Sequence, residues 1–373
     1  MTSSLSIVLD ARATSAHFPG IARATLGLLG GLHQLEHNHT IAVLSHADDP
    51  PVTLPVFKDP RFVRVPTRAP ALSLAQQWQL PLLSRTLAPN LWHAPYYIRP
   101  FRGIPRPIVT VWDIIGHVVP GALPSLRARL LFELTLRWSL RSAAHIITSS
   151  HATRHDLERV YRLPSASITV IPLAADARFH PQSPERVAGV RARYGLPCEY
   201  VLYLGSNKPH KNLPALLRAF APVETSAQLV IAGRWDGRYP EPRRLVAELQ
   251  LGGRVLFLQD VADDDLPALL SGALAFVFPS RYEGFGLPPL EAMACGTPVI
   301  ASNTAALPEV VGDGGLLVAP EPEPLRATLH AVITQPELRA QLRERGLRRA
   351  RQFSWEATAR QTIAVYEQVA SAS

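Results

Sequence analysis

The chain has 373 residues, of which 47% are hydrophobic and 18% charged, and its formal net charge is +8. That length predicts about two α/β domains with one core each, and no apolar run is long enough to make a membrane-spanning helix. Two cysteines, Cys198 and Cys295, are too few and too far apart in sequence to suggest a disulfide framework or a zinc site, while the positive charge favours an anionic partner: phosphate, an acidic lipid surface or nucleic acid.

The N-terminus, MTSSLSIVLDARAT, lacks a basic region followed by a long apolar stretch, so no secretory signal is expected and the expected compartment is the cytoplasm. Short apolar runs then alternate with amphipathic stretches. Strands are predicted near 6–9, 41–44, 62–65, 108–111, 146–148 and 168–171, a βα repetition that implies a parallel sheet. Gly20, in PGIAR after the first strand, either lets the chain approach a diphosphate or begins a helix. His33, His37 and His39, like His151 and His155, have ligand-like spacing but read as polar helix surface rather than a metal site. The segment LPSLRARLLFELTLRWSLRSAAH puts Leu126, Leu130, Leu134 and Trp138 at helical spacing, with Arg127, Arg137 and Arg141 elsewhere around the helix. A core helix with a solvated face is the favoured reading; docking on an anionic membrane, suited to a lipid-linked acceptor, is the alternative.

A polar, proline-bearing linker over 174–187 puts a domain boundary near residue 183. Strands follow at 200–204, 229–232, 255–258, 274–278, 299–301 and 316–318, so a second doubly wound sheet is expected. GSNKPHKN leaves the first of these. Of 38 basic residues only Lys58, Lys208 and Lys211 are lysine, and two of the three lie in this loop, where a compact ammonium can meet a phosphate oxygen as a point charge. Asp263 to Asp265 precede a helix and read as an N-cap with first-turn charge rather than a metal motif. RYEGFG leaves the fourth strand carrying Glu283, and Gly284 and Gly286 allow a ligand close to the backbone. Pro288, Pro289 and Gly296 then bound a short helix over 288–295 with Glu291 in its first turns, and its N-terminal N–H groups and dipole suit a phosphate. Beyond residue 325 the chain is predicted helical, with an interruption at Pro336 and a new start near Ser354; six arginines from Arg339 to Arg351 read as a solvated face rather than a nucleic-acid site. Two open sheets make a cleft, and both loops leave the carboxyl ends of strands, where such sheets bind ligands. No G-x-G-x-x-G follows the first strand and no P-loop occurs, which argues against dinucleotide oxidoreductases and P-loop enzymes.

With these residues in place, the chain resembles the retaining glycosyltransferases of family GT4, of GT-B fold: two Rossmann-like domains facing each other across a cleft. The resemblance is carried by Glu283 and Glu291 as an E-x7-E pair within EGFGLPPLEAMACGTPVIAS, by YLGSNKPHKNLPALLRAF, LPEVVGDGGLLVAP and FSWEATARQTIAVYEQV, and more loosely by PGIAR, HAPYY, VTVWDIIGHVVP, ITSSHATRHDL and ITVIPLAAD. It implies an acceptor-binding domain over 1–183, onto which a C-terminal helix over 354–373 packs back, and a donor-binding domain over 184–353. It further implies that Glu291 holds the ribose hydroxyls of a nucleotide sugar, that Glu283 contacts the transferred sugar, and that Lys211 neutralises the diphosphate. Backbone N–H groups from Gly284, Phe285, Gly286 and Leu287 would meet sugar and phosphates, and Gly205, Ser206, Val261 and Gly20 would line the donor. Two departures stand out. Where the family carries an arginine before its lysine, this loop has Ser206, Asn207 and Lys208, so that Lys208 or Arg234 substitutes. Where it carries His-Asp, this chain has Trp112 and Asp113, so His117 or His93 takes the histidine's place or the donor phosphate acts as base.

The resemblance therefore implies a metal-independent, retaining hexosyltransferase without a cofactor. Mannose and GDP are favoured over UDP-linked sugars, and Glu283, Lys211, Asp113 and His117 are the catalytic candidates. His93, Tyr96 and Trp112 fall on the acceptor side. The acceptor is expected to be a glycan or a lipid-linked saccharide at the inner face of the membrane, with no nucleic-acid partner. Two rivals stay open: a silent nucleotide-sugar-binding partner of a glycan synthase, and a GT-B hydrolase or epimerase.

Overall fold

The computed structural model describes residues 4–14, 19–47, 55–71, 73–123 and 125–372, so the first three residues of the N-terminal reading and Pro124 of the amphipathic segment lie outside the described residues. Its contacts separate two compact units: Met1–Val118, Leu123–Leu173 and Ser354–Ser373 in one, Val119–Ala122 and Ala174–Phe353 in the other. The chain divides after Leu173, ahead of the expected position near 183, and the last residues of the expected linker already belong to the helix Pro184–Tyr194, capped by Ser183.

The first unit holds seven parallel strands: β1 Ser6–Asp10, β2 Thr40–His46, β3 Phe62–Thr67, β4 Leu91–Ala94, β5 Pro107–Val111, β6 His145–Thr148 and β7 Ile168–Val170. Their order is β3-β2-β1-β4-β5-β6-β7. Strand β4 is absent from the predicted elements, although it pairs with both β1 and β5 at the centre of the sheet. Its sequence, LWHA, is four residues long and contains a histidine, too short and too polar a run to read as a strand. The helix Pro19–Gln34 covers one face, and the helix Trp355–Ser371 packs on it. A Cβ at Gly31 would stand 2.2 Å from the carbonyl oxygen of Trp355, so this close helix contact requires glycine. Ala359, Tyr366 and Val369 thereby join Leu28, Leu29 and Leu32 in one apolar core.

The helix Leu126–Arg141 starts at Ser125, whose hydroxyl accepts from the Ala128 amide at 3.1 Å. The favoured core reading of its leucine stripe is overturned. Leu136, Ser139 and Leu140 are the buried side, whereas Leu126, Leu130, Leu134 and Trp138 face outward.

The second unit is a six-stranded parallel sheet of β8 Tyr200–Leu204, β9 Gln228–Ala232, β10 Val255–Leu258, β11 Ala275–Phe278, β12 Val299–Ser302 and β13 Leu316–Val318. All six lie within a residue of the predicted runs; β8, β9, β11 and β12 are almost wholly buried, whereas the edge strands β10 and β13 are largely half-buried. The order is β10-β9-β8-β11-β12-β13. The chain winds outward from β8 and returns to β11, which makes the carboxyl ends of β8 and β11 the topological switch point of this sheet.

Asp265 departs from its predicted role. It makes no cap hydrogen bond; buried at 1% exposure, it accepts from Arg186 (2.9 Å), Arg193 (2.6 Å) and Tyr194 (2.9 Å) on the helix Pro184–Tyr194. Burial disfavours its charge, but the hydrogen bonds from Tyr194 and Arg193 outweigh that and hold its pKa below the usual carboxylate value.

Candidate active site

At the switch point of the second unit, the loop after β8 is built to hold one cation. Tyr203 is buried and donates its hydroxyl to the Ser206 carbonyl at 2.6 Å. Burial, then the charge of Glu283, pushes that phenol well above its ordinary pKa, so it stays a donor. Pro209–Lys211 form a 3-10 turn, and Asn212 follows with φ 58°, a left-handed conformation that asparagine tolerates. The Asn212 amide donates to the carbonyls of Pro279 (3.1 Å) and Pro320 (2.7 Å), and the Arg281 amide donates to the His210 carbonyl at 2.8 Å. The loops after β8 and β11 are thus pinned to each other.

The result is a direct pair. Lys211 Nζ donates to Glu283 Oε1 at 2.6 Å and lies 5.0 Å from the centre of the Phe278 ring, with the two side chains 17% and 15% exposed. His210 beside it is buried, and burial, followed by the charges of Lys211 and Lys208, lowers its pKa to about 4.

Beyond Glu283 the chain turns through Gly286 at φ 118°, where a Cβ would also meet Leu307 Cδ2 at 2.8 Å, so both conformation and space demand glycine. Phe285 is buried, edge-on to Phe353 with centroids 6.1 Å apart. The helix runs from Leu287 to Ala294, one residue earlier than predicted at each end. Pro288 and Pro289 have no N–H, and among the described residues the amides of Phe285, Gly286 and Leu287 make no hydrogen bond within the protein. Three donors are therefore grouped at the positive end of a helix dipole. Glu291 lies in that helix at 2% exposure, among Leu290, Ala292 and Met293.

The remaining donor candidates are placed unevenly. Gly205 and Ser206 begin the loop that carries Lys211. Lys208 and Arg234 are both exposed, Arg234 on the loop after β9. That loop is tied to the first by Asn207, which donates to the carbonyls of Asp236 (2.8 Å) and Tyr239 (2.7 Å) and accepts from the Asp236 amide (2.7 Å). Val261 follows β10, the edge strand two removed from β8. Gly20 is the second residue of the helix Pro19–Gln34, and a Cβ there would meet nothing within 4 Å.

In the first unit, Tyr96, Trp112 and Asp113 gather beyond β4 and β5. Trp112 Nε1 donates to the Pro95 carbonyl at 2.7 Å, and Asp113 accepts from the Ile115 amide at 2.9 Å. The rings of Tyr96 and Tyr97 lie 4.3 Å apart; burial, then Tyr97 and Asp113, raises the Tyr96 phenol far above its usual pKa. His117 Nδ1 is bonded to Glu133, which also accepts from Tyr161 at 3.3 Å. An acceptor-side role for His93 is corrected by the structure. It is 1% exposed, with Nδ1 bonded to the Tyr366 hydroxyl (2.7 Å) and Nε2 to Thr110 (2.8 Å), and burial lowers its pKa to about 3. It braces the C-terminal helix and has no free nitrogen for a substrate.

Sequence reasoning missed Asn207 and Asn212 as the loop clamps, and Asp10 with Arg12 at the end of β1. Arg12 is 5% exposed, pairs with Asp10 at 2.6 Å and donates to the Ala69 carbonyl at 2.9 Å and Gln76 at 3.1 Å. An acid and an arginine two residues apart directly after an apolar strand were the available signal. Among the described residues, no group of three or more His, Cys, Asp or Glu side chains is placed to hold a metal ion, and no helix is long and apolar enough to cross a membrane.

Two Rossmann-like units, with a cation and a carboxylate paired at a switch point beside a helix N-terminus, make the class of site that suits a phosphate-bearing ligand. Residues 196–349 match the family described as Glycosyl transferases group 1, and residues 19–179 match Glycosyltransferase Family 4. The chain is 37% identical over 298 residues to O-antigen chain mannosyltransferase B of Escherichia coli, covering 78% of this chain and 77% of that one. It is 34% identical over 235 residues to MMP alpha-(1->4)-mannosyltransferase of Mycolicibacterium hassiacum, covering 61% and 54%. Sucrose-phosphate synthase of Thermosynechococcus elongatus superposes with a TM-score of 0.75 at 25% identity, over 99% of this chain and all of that one. HepE of Anabaena, solved with UDP and glucose, superposes with a TM-score of 0.76 at 21% identity, over 98% and 100%. The chain belongs to glycosyltransferase family 4 and has the GT-B fold.

Proposed function

We propose that the protein transfers mannose from GDP-mannose, with retention and without a metal ion or cofactor, to a glycan or lipid-linked saccharide at the inner face of a membrane. The observation that carries this reading is the 2.6 Å contact between Lys211 and Glu283 at the switch point. Lys211 compensates the charge of the leaving diphosphate, the amides of Phe285, Gly286 and Leu287 donate to sugar and phosphate oxygens, and Glu283 binds the hydroxyls of the transferred hexose. Glu291 holds the ribose. The bond from sugar C1 to the diphosphate oxygen breaks, the acceptor oxygen bonds to C1 on the same face, and its proton passes to the leaving phosphate. Fixed cationic and N–H groups suffice for that charge flow. Mannose is supported by relatives whose names specify mannosyl transfer; those names do not favour a silent partner or a hydrolase. Lys208 and Arg234 share the second cationic position, and Asp113, Trp112 and Tyr96 face the acceptor.

Thermal shifts with GDP, UDP, ADP and their sugars test the donor. GDP-mannose is expected to raise the unfolding temperature most, and a larger shift with UDP-glucose would overturn the assignment. Glu291→Ala should abolish most of that shift, whereas Glu283→Ala should chiefly slow turnover; equal effects on both would contradict the division of roles. Activity that disappears on EDTA treatment and returns with a divalent ion would refute metal independence.

A further inference from the structure

Among the described residues, nine large hydrophobic side chains are exposed, and five of them lie on one face of the helix Leu126–Arg141: Leu126 (84%), Leu130 (61%), Leu131 (67%), Leu134 (53%) and Trp138 (49%). The face continues. The Phe101 ring lies tilted against Trp138 with centroids 5.6 Å apart, and its amide donates to Gln77 at 3.0 Å, which joins it to the helix Gln76–Leu87 and its exposed Trp78 and Leu82. An outward apolar face of this extent needs an occupant.

The charge around it identifies one. Residues 69–144 contain eight arginines and two acids, a net charge of +6 out of +8 for the whole chain. Arg85, Arg102, Arg106, Arg127, Arg129, Arg137 and Arg141 are all exposed. The acids are turned in: Asp113 is half-buried, and Glu133 is held by His117. At 100° per residue, Arg127, Arg137 and Arg141 share the outward arc with the leucines, which corrects the reading that set them elsewhere around the helix. A protein partner's apolar core would strip water from those guanidinium groups. At a bilayer surface the leucines enter the acyl boundary while the arginine stems extend to the phosphates.

We propose that this face docks the protein on a bilayer carrying anionic headgroups. The proposal gives the membrane location inferred above its surface, and it rests on no part of the donor site.

Sedimentation of the full chain with vesicles tests it. Vesicles of phosphatidylcholine with an equal amount of phosphatidylglycerol should bind the protein, phosphatidylcholine alone should bind it weakly, and salt should reduce binding. The pair Leu130→Asp with Leu134→Asp should lose roughly tenfold or more in partition, and Leu130→Gln with Leu134→Gln should lose less while keeping the wild-type unfolding temperature. Both pairs should keep wild-type turnover on a soluble acceptor, so a failed donor assignment would show in turnover and not in sedimentation. Absence of binding to the mixed vesicles, or undiminished binding by the aspartate pair, overturns the proposal. A dimer in light scattering that the aspartate pair dissociates, without vesicle binding, would assign the face to a second copy and also overturn it.

Discussion

Lys211→Ala separates structural from chemical roles at the switch point. Two unit charges 2.6 Å apart attract by on the order of 6 kcal/mol at an effective dielectric near 20. Both side chains retain some solvent contact, at 17% and 15% exposure, so desolvation and screening leave a net contribution to stability of about 1 kcal/mol. For a unit of this size that lowers the unfolding temperature by roughly 2–4 °C. The chemical role is larger. A fixed cation that strengthens its hold on the diphosphate as further negative charge develops there contributes about 3 kcal/mol to the transition state, or roughly 10²-fold in kcat. Nucleoside diphosphate release from GDP-mannose, measured with a mannose-terminated acceptor, should therefore fall by that factor in a protein that still folds. Lys211→Arg should recover part of the rate, because a planar guanidinium cannot place a point charge at the same oxygen. Turnover within about threefold of wild type, with the unfolding temperature also unchanged, would refute the role.

Acid should loosen the first unit through His93. Its folded pKa, about 3, lies below the ordinary 6.5, so the neutral form is required for folding; that stability is complete above pH 6.5 and is lost as pH falls towards 3. The slope is about 1.4 kcal/mol per pH unit, or about 3 kcal/mol by two units below 6.5. In urea unfolding followed across that range, His93→Gln should be less stable near neutrality and have a shallower pH dependence; an unchanged slope would contradict the buried neutral histidine. Gly286→Ala should cost about 1–3 kcal/mol and weaken the donor-induced thermal shift, since it combines φ 118° with a 2.8 Å contact to Leu307. Gly20→Ala, with nothing within 4 Å, is the matched control and should change stability by less than about 0.5 kcal/mol.

The legibility of this chain follows the distance over which its contacts are made. The second unit could be read closely because β8, β9, β11 and β12 are almost wholly buried, and all six strands appear as near-continuous apolar runs separated by glycine and proline turns. GSNKPHKN and RYEGFG could each be found as a loop beyond a strand. Their meeting could not, because Lys211 and Glu283 are 72 residues apart and become neighbours only once β8 pairs with β11. Strand order is decided by crossovers and helix packing, which leave no local trace. The first unit was less legible for the same reason. β4 is stabilised by β1, β5 and a tyrosine 273 residues beyond His93, so a short run with a polar residue became the central strand.

His93 and His117, in this half of the molecule, are placed in different surroundings. A histidine after an apolar run has two opposite fates, an exposed catalytic group or a buried brace, and only the partners of its ring nitrogens distinguish them. His93 finds hydroxyls on both sides, while His117 finds Glu133 on the basic helix. A carboxylate partner holds the His117 ring in one orientation, whereas burial between two hydroxyls keeps His93 neutral. Trp112 occupies the position where the family resemblance implies a histidine, and its indole N–H is already given to Pro95. It can contribute shape and apolar surface against an acceptor, but its only polar hydrogen is engaged and its ring has no basic nitrogen. The residue at the family's histidine position on this chain therefore cannot take up the acceptor's proton.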